Sequence, residues 1–249
     1  MIRIEQIGNG GGLDLHKTNT SFVLHNNKGP FALIDCGFNV PVKLEELDYI
    51  KDIEYVFITH KHMDHIGGLE SLIYSRFFKY CLKTTVIMDS KVYNDIGEQF
   101  FEHYNVLKDG SKYKYVNMVR IEHMVFDNDL TYDGRSMLKP YNIDSIYGIE
   151  GQHGNVVNVG FIFIMDDTAV MFTGDTNATL NIKNTIKELY RNYNKVIVFH
   201  DYSNWDNPVE NTHCCESQFK IYNDIINDDI IIYKVHDSSD KLLDIRINQ

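Results

Sequence analysis

Residues 59–65 read Thr59-His60-Lys61-His62-Met63-Asp64-His65. An apolar stretch, Tyr55–Ile58, comes directly before them, and Gly67-Gly68 follows, ahead of a helical pattern that begins near Leu69. Four potential metal ligands, three imidazoles and one carboxylate, therefore share a single strand-to-helix loop. That combination of donors suits zinc, manganese or iron. A lone histidine is more often a core or surface residue, but this H-x-H-x-D-H spacing predicts a metal site.

The size and composition of the chain favour one large α/β domain over residues 1–249. Hydrophobic residues make up 43% of the chain, which is enough for a sizeable core. The formal net charge is −11, the opposite sign to that of most proteins that grip nucleic acid by its phosphates. A small anion remains a compatible ligand, because bound metal cations reverse the local sign. The four cysteines, Cys36, Cys81, Cys214 and Cys215, lack C-x-x-C spacing and are expected to be free thiols in a reducing cytoplasm.

Apolar and helical periods along the chain predict two mixed β-sheets with helices on their outer faces. Helices are expected over Leu69–Tyr80, Asn181–Tyr193 and Cys215–Ile226. The predicted strands are Ile2–Ile7, Phe22–His25, Phe31–Asp35, Tyr55–Thr59, Thr85–Met88, Val156–Ile164, Ala169–Thr173, Val196–His200 and Ile230–Val235. Since every apolar run is shorter than the roughly 20 residues of a membrane span, no membrane partner is expected.

The loop motif and three later residues resemble the metallo-β-lactamase superfamily. The later residues are His153 in Gly151-Gln152-His153-Gly154-Asn155, Asp175 in Phe172-Thr173-Gly174-Asp175-Thr176, and His236 after the last predicted strand. The resemblance implies an α/β fold, an αββα sandwich with two mixed β-sheets flanked by helices, and two divalent metal ions, zinc or else manganese. It also implies the ligand sets: His60, His62 and His153 for one ion, Asp64, His65 and His236 for the other, and Asp175 as the bridge.

The C-terminal third resembles the RNase Z-like phosphodiesterases more than the β-lactamases. That branch's His-Glu-Ala-like and His-Ser-Thr-like phrases have their counterparts in His200-Asp201 and Thr212-His213-Cys214. The likeness implies that His213 is a catalytic proton donor, whereas the plainer interpretation is a surface histidine at a helix start. Asp201 replaces the family's glutamate, which puts identical tuning of His213 in doubt. His200 and Asp201 are expected one layer outside the ligands, and for His200 a purely structural role is an equal alternative.

The spacing of the motifs leaves no room for a tRNA clamp. RNase Z enzymes carry a long basic arm, commonly between the third histidine ligand and the bridging aspartate. The interval from His153 to Asp175 holds one predicted strand, a turn at Asp166-Asp167 and another strand. Together with the negative charge, this argues against tRNA or DNA as a partner. A phosphodiesterase-like chain without a tRNA clamp is similar to compact cyclic-nucleotide phosphodiesterases, above all to the anti-Pycsar family. Members of that family are homodimers that phages use to destroy cyclic pyrimidine nucleotides of bacterial immune signalling.

This resemblance implies hydrolysis of 3′,5′-cyclic nucleotides to 5′-monophosphates in the host cytoplasm, with cCMP and cUMP first and cAMP and cGMP as further substrates. Asp64 is expected to bind metal and to orient or deprotonate the attacking water, and His213 to protonate the leaving 3′ oxygen. Two other classes stay open: a metallohydrolase of a lactone, a thioester or RNA, and a non-catalytic nucleotide sponge. The full ligand set favours an enzyme, since structural zinc sites are usually closed, single-metal and often rich in cysteine.

The stretch from Lys91 to Glu150 fits the scaffold least well and is interpreted as a Tyr-rich insertion. It holds seven of the chain's 16 tyrosines. Either these tyrosines pack locally in an extra hairpin, since Lys112–Val119 alternates like a strand, or the segment forms a dimer contact and a lid. Tyr113, between Lys112 and Lys114, is the candidate for stacking on a nucleobase while the lysines attract the anion.

Overall fold

The computed structural model describes residues 1–97, 100, 115–121, 138–204, 212–236 and 241–247. The chain divides into two compact units, one formed by Met1–Arg120 with Asp240–Asn248 and the other by Ile121–Ser239. Each unit is built around its own sheet. Among the described residues, no helix has the length and apolar character needed to cross a membrane.

The first unit is a seven-stranded mixed sheet. Its strands β1, β2 and β3 form an antiparallel meander, β3, β4 and β5 run parallel, and β12 pairs antiparallel with β1. In spatial order the strands are β12 (Asp244–Ile247), β1 (Ile2–Gly8), β2 (Ser21–Asn26), β3 (Gly29–Ile34), β4 (Tyr55–Phe57), β5 (Thr84–Asp89) and β6 (Val116–Ile121). Its helices are α1 (Val40–Glu46), α2 (Met63–Ile66), α3 (Leu69–Tyr74) and α4 (Ser90–Ile96), with a π-helical turn at Ser75–Lys79.

The second unit is a five-stranded mixed sheet. Strands β7, β8 and β9 are antiparallel neighbours, whereas β9, β10 and β11 run parallel. In spatial order they are β11 (Ile230–Val235), β10 (Lys195–Asp201), β9 (Thr168–Phe172), β8 (Val159–Met165) and β7 (Ser145–Glu150). Helix α5 (Leu180–Asn192) buries Ile182, Ile186 and Leu189, an i, i+4, i+7 stripe, against this sheet. A short helix α6 (Glu216–Phe219) and 3₁₀ turns at Lys139–Tyr141 and Lys220–Tyr222 complete the unit.

In each unit, polar residues lie at the carboxyl ends of the parallel strands. The carboxyl ends of neighbouring parallel strands lie at the same edge of a sheet. In the first unit, β3 is followed by Asp35 and β4 by the 59–65 loop. In the second unit, β9 is followed by Asp175, β10 ends on Asp201 and β11 is followed by His236.

The predicted two mixed sheets with helices are confirmed. Helix α1 and strand β12 were not predicted, and three predicted stretches differ from expectation. The α-helix expected over Cys215–Ile226 ends at Phe219 and is followed by the 3₁₀ turn Lys220–Tyr222, after which Asn223 and Asp224 favour turns over helix interior. The helix expected up to Tyr80 changes to π geometry at Ser75. Part of the stretch interpreted as an insertion is scaffold, because α4 and the edge strand β7 lie within it and β7 pairs along its whole length with β8.

Candidate metal centre

In the first unit, hydrogen bonds fix which nitrogen of His60 carries a proton. Thr59 donates both its backbone N–H and its hydroxyl to the Asp35 carboxylate, at 2.9 and 2.8 Å. The Thr59 Oγ1 therefore accepts from His60 Nδ1 at 3.0 Å, and His60 presents an unprotonated Nε2. That Nε2 lies 3.2 Å from Nδ1 of His62. Two nitrogens bound about 2.0–2.1 Å from a tetrahedral zinc are about 3.3 Å apart, so the pair is spaced as two ligands of one ion.

His65 is oriented by the same carboxylate. Its Nδ1 lies 2.8 Å from Asp35 Oδ2, and its ring is 2% exposed. Since a carboxylate accepts, Nδ1 bears the proton and Nε2 is the ligand atom, 3.6 Å from Asp64 Oδ2. Asp35 therefore sets the tautomers of His60, through Thr59, and of His65 directly. Sequence motifs did not single out Asp35, and its only signal is its position at the end of a predicted strand.

The backbone beneath Asp64 is too close for any side chain at residue 37. A Cβ on Gly37 would lie 2.1 Å from the Asp64 carbonyl oxygen. The neighbouring residue Cys36 makes two backbone hydrogen bonds to the chain after Asp64. Cys36 N donates to His65 O at 2.7 Å, and Gly68 N donates to Cys36 O at 2.9 Å. The turn after β3 thus holds the backbone that directly follows Asp64.

In the second unit, His153 and His236 each place Nε2 near Asp175. His153 Nδ1 donates to the carbonyl oxygen of Thr212 at 2.6 Å, so its Nε2 is unprotonated and lies 3.8 Å from Asp175 Oδ2. His236 Nε2 lies 3.7 Å from Asp175 Oδ1. Asp175 is 2% exposed, and each of its carboxylate oxygens faces a different histidine, as a carboxylate between two ions requires.

His213 lies against two carboxylates rather than at a bare helix start. Its Nδ1 is 2.9 Å from Asp201 Oδ2 and 3.8 Å from Asp175 Oδ2, and its ring stacks on that of His236 at 4.8 Å. Burial lowers the pKa of His213, but the hydrogen bond and charge of Asp201, with the charge of Asp175, outweigh it and raise the pKa overall. The aspartate that replaces the family's glutamate therefore reaches His213.

Asp201 is itself held in place, and His200 contacts its backbone. Thr176 N donates to Asp201 Oδ2 at 2.8 Å. His200 is fully buried, with Nδ1 2.7 Å from the Asp201 carbonyl oxygen and Nε2 2.8 Å from the Tyr222 hydroxyl. His200 therefore lies behind Asp201, and its hydrogen bonds go to Asp201 and Tyr222 rather than to one of the predicted ligands. Within this unit Asp175, Asp201, His213 and His236 offer ligand atoms that all lie within 4.8 Å of one another.

The residues present fit divalent metal ions. Each of His60, His65 and His153 donates a hydrogen bond from Nδ1 to an acceptor behind its ring. Proteins orient histidine ligands and fix their tautomer in this way. In the first unit the Nε2 atoms of His60 and His65 lie with the carboxylate of Asp64, and in the second unit Nε2 of His153 lies near the carboxylate of Asp175. Imidazole nitrogens and carboxylate oxygens are donors that suit zinc or manganese. Tyr113, the proposed lid residue, lies outside the described residues.

We expect Asp35→Asn to weaken metal binding by about 10–100-fold, the usual effect of losing a group that orients a histidine ligand. Asp35 Oδ1 accepts from Thr59 N, and Oδ2 accepts from both Thr59 Oγ1 and His65 Nδ1, so an amide nitrogen in place of either oxygen would face at least one donor. Zinc affinity measured by competition with a chelator checks this. The matched control is Asp48→Asn, because Asp35 and Asp48 share a positive φ, 59° and 56°, and the Asp48 side chain is 80% exposed. Equal zinc affinity in the two variants would contradict the role of Asp35.

The family model for Anti-Pycsar protein Apyc1 matches residues 2–245 of the chain. The curated protein of that name from Bacillus phage BSP38 is 35% identical over 113 residues, covering 45% of this chain and 42% of the phage protein. Ribonuclease Z from Alkaliphilus oremlandii is 30% identical over 97 residues, covering 39% of this chain and 31% of that protein. The aligned regions thus span less than half the length of these relatives.

A solved structure shows the fold. The metallo-β-lactamase fold protein YhfI from Bacillus subtilis superposes with a TM-score of 0.63 and 14% identity, covering 98% of this chain and 99% of that one. The predicted metallo-β-lactamase fold is confirmed.

Proposed function

The chain belongs to the anti-Pycsar Apyc1 family, and from this membership we propose that it is a phosphodiesterase that hydrolyses 3′,5′-cyclic nucleotides to 5′-monophosphates. The proposed substrates are cCMP and cUMP first, and cAMP and cGMP with them. The observation that carries the proposal is the hydrogen-bonded pair of His213 and Asp201 beside Asp175. A half-buried acid of this kind suits a leaving alkoxide, which needs a proton as it departs.

We assign the proposed metal ligands as two sets. His60, His62 and His153 would hold one ion, Asp64, His65 and His236 the other, and Asp175 would bridge them; zinc is the expected metal, with manganese as the alternative. The tautomers support this assignment, because the hydrogen bonds to Thr59, Asp35 and Thr212 place ring protons away from the ligand nitrogens. When bound, such ions supply Lewis acidity that polarises phosphate oxygens and makes water acidic enough to act near neutral pH.

The side chains then have separate tasks in the reaction. Asp64 orients the attacking water in line with the 3′ oxygen that leaves, and it takes the proton of that water. His213 donates a proton to that oxygen from its Nε2, because its Nδ1 is held by Asp201. Asp201 stabilises the protonated imidazole, which is the form that can donate. The products are a free 3′ hydroxyl and a 5′-monophosphate, so atoms and protons balance.

The segment between His153 and Asp175 supports a small substrate rather than tRNA or DNA. Its residues form the strands β8 and β9, joined by a turn at Asp166-Asp167, and no arm projects from it. The net charge of −11 further disfavours a polyanionic partner. We therefore propose a cyclic nucleotide as the substrate and a bacterial host's Pycsar immunity as the pathway that the enzyme evades, from the host cytoplasm.

Two finer proposals come from the family resemblance alone. One is that the protein is a homodimer. The other is that the Tyr-rich segment closes over the site, with Tyr113 stacking on the base, either within one chain or from the dimer partner. Both concern residues that lie largely outside the described part of the chain.

The test is a substrate panel on the purified, zinc-loaded protein, with metal content measured beside it. The panel holds cCMP, cUMP, cAMP, cGMP, pre-tRNA, a lactone, a thioester and nitrocefin. We expect two metal equivalents and 5′-monophosphates from the cyclic nucleotides. Cleavage of pre-tRNA or a lactone without action on any cyclic nucleotide would reassign the enzyme, and tight nucleotide binding without turnover would make it a sponge.

A further inference from the structure

The neighbours of His200 determine which of its ring nitrogens donates a hydrogen bond and which accepts one. Its Nδ1 lies 2.7 Å from the Asp201 carbonyl oxygen, which can only accept, so Nδ1 carries the proton. Burial lowers the pKa of His200 and keeps the ring neutral, which leaves Nε2 as an acceptor. The Tyr222 hydroxyl, 2.8 Å away, must then donate to it.

Tyr222 is built to donate in this position. It is 0% exposed, and burial raises its pKa above its usual range, so the hydroxyl stays protonated. The same hydroxyl oxygen is hydrogen-bonded by the backbone of Thr179, the residue that caps the start of α5. Phe219 packs edge-on against both rings, at 5.8 Å from His200 and 5.4 Å from Tyr222. The pair is therefore fixed at both polar ends and on one face.

The hydrogen-bond chain ends on the residue that orients His213. Asp201 N donates to Thr173 Oγ1 at 3.1 Å, and its carboxylate accepts from Thr176 N and binds His213. Its carbonyl oxygen is the remaining polar group of the residue, and His200 donates to it. A rotation of that peptide would move the Asp201 carboxylate off the line to His213.

We propose that Tyr222 and His200 are positioning residues for the catalytic pair: a chain from the Tyr222 hydroxyl through His200 to the Asp201 carbonyl holds the carboxylate that orients His213. The catalytic part of this inference rests on the proposed function, whereas the tautomer of His200 does not.

The first experiment compares Tyr222→Phe with Tyr190→Phe. The first variant removes the donor to His200 together with the acceptor of the Thr179 backbone bond, and the second removes an exposed hydrogen bond to Asp229, 3.2 Å long. We expect Tyr222→Phe to lower kcat on a cyclic nucleotide by about tenfold, the worth of one hydrogen bond, with KM within about twofold and full metal content. Tyr190→Phe should match the native enzyme. A folded, metal-replete Tyr222→Phe enzyme with native kcat would overturn the proposal.

A second pair of variants separates positioning from burial. In His200→Asn the amide nitrogen takes the place of Nδ1 and can still donate to the Asp201 carbonyl, whereas the amide of His200→Gln reaches toward Tyr222 instead. We expect the asparagine variant to retain more kcat than the glutamine variant. Equal losses in the two would show that His200 serves packing only.

The tautomer of His200 can be measured by NMR on the native protein, without a substrate. Long-range correlation of ring ¹⁵N and carbon-bound protons reports which imidazole nitrogen bears hydrogen. We expect His200 to be neutral with the proton on Nδ1, and we expect the ring signals of His213 to shift in Tyr222→Phe but not in Tyr190→Phe. A proton on His200 Nε2 would refute the chain even if the enzyme hydrolyses cyclic nucleotides. The Nδ1 form in a protein inactive on them would contradict the proposed function alone.

Discussion

Asp64→Asn is expected to bring the hydrolysis of cyclic nucleotides to background and to reduce the bound metal from two equivalents to one. Asparagine keeps the shape of the side chain but removes its charge, and an amide is a poor ligand for a zinc ion that otherwise has imidazole partners. The carboxylate is largely buried, 3.6 Å from His65 Nε2, so solvent cannot replace it easily. Loss of Asp64 would also remove the group proposed to take the proton of the attacking water.

Metal analysis and initial rates together identify the cause of the loss. The matched control is Met63→Ala, the preceding residue on the same loop, whose side chain is 60% exposed and offers no ligand atom of comparable strength. It should keep both metal equivalents and its rate. His62→Ala should also be inactive, but through the other ion, since His62 Nδ1 faces His60. An Asp64→Asn enzyme with two equivalents and native turnover would exclude Asp64 from the site.

The sequence identifies the candidate ligand residues more readily than the groups that orient them. The histidines and aspartates stand in short motifs, because each must reach the ligand position from a loop of fixed length. Asp35 lies in no such motif, and its contacts to Thr59 and His65 depend on the parallel pairing of β3 and β4. Thr212 acts through a backbone carbonyl, which any residue type would supply, so no sequence pattern could identify it.

The same reasoning explains which elements of the fold were missed. Strand β7 is Ser-Ile-Tyr-Gly-Ile-Glu, whose burial does not alternate cleanly and whose glycine weakens strand propensity. Its place in the sheet is decided by pairing with β8, a long-range interaction that a local pattern does not contain. The apolar period that predicted a helix through Tyr80 is not matched by burial in the π turn at Ser75–Lys79, where Arg76 is buried and Phe78 is exposed. A period of side chains does not report which backbone hydrogen bonds form.

His213→Ala should leave both metal equivalents bound and lower kcat on cyclic nucleotides by roughly 10²–10⁴-fold, the usual contribution of a positioned general acid. The alanine variant lacks the proton that the 3′ oxygen needs as it leaves. A comparison of two leaving groups distinguishes the loss of a proton donor from the loss of a metal ligand. A 4-nitrophenyl phosphodiester releases a weakly basic phenolate that departs without a proton, so the same variant should hydrolyse it at nearly the native rate. A metal ligand would be required equally for both substrates.

The partnership with Asp201 gives the decisive comparison. Asp201→Asn removes the charge 2.9 Å from His213 Nδ1, so it should reproduce part of the loss on cyclic nucleotides and spare the nitrophenyl ester. If Asp201 acts through His213, the double variant should be no slower than His213→Ala, because residues that act as a unit are not additive. His16→Ala, an exposed histidine, is the control and should be silent. Equal loss on both substrates, or loss of one metal equivalent, would move His213 from acid to ligand, since Asp175, Asp201, His213 and His236 are close enough to share an ion.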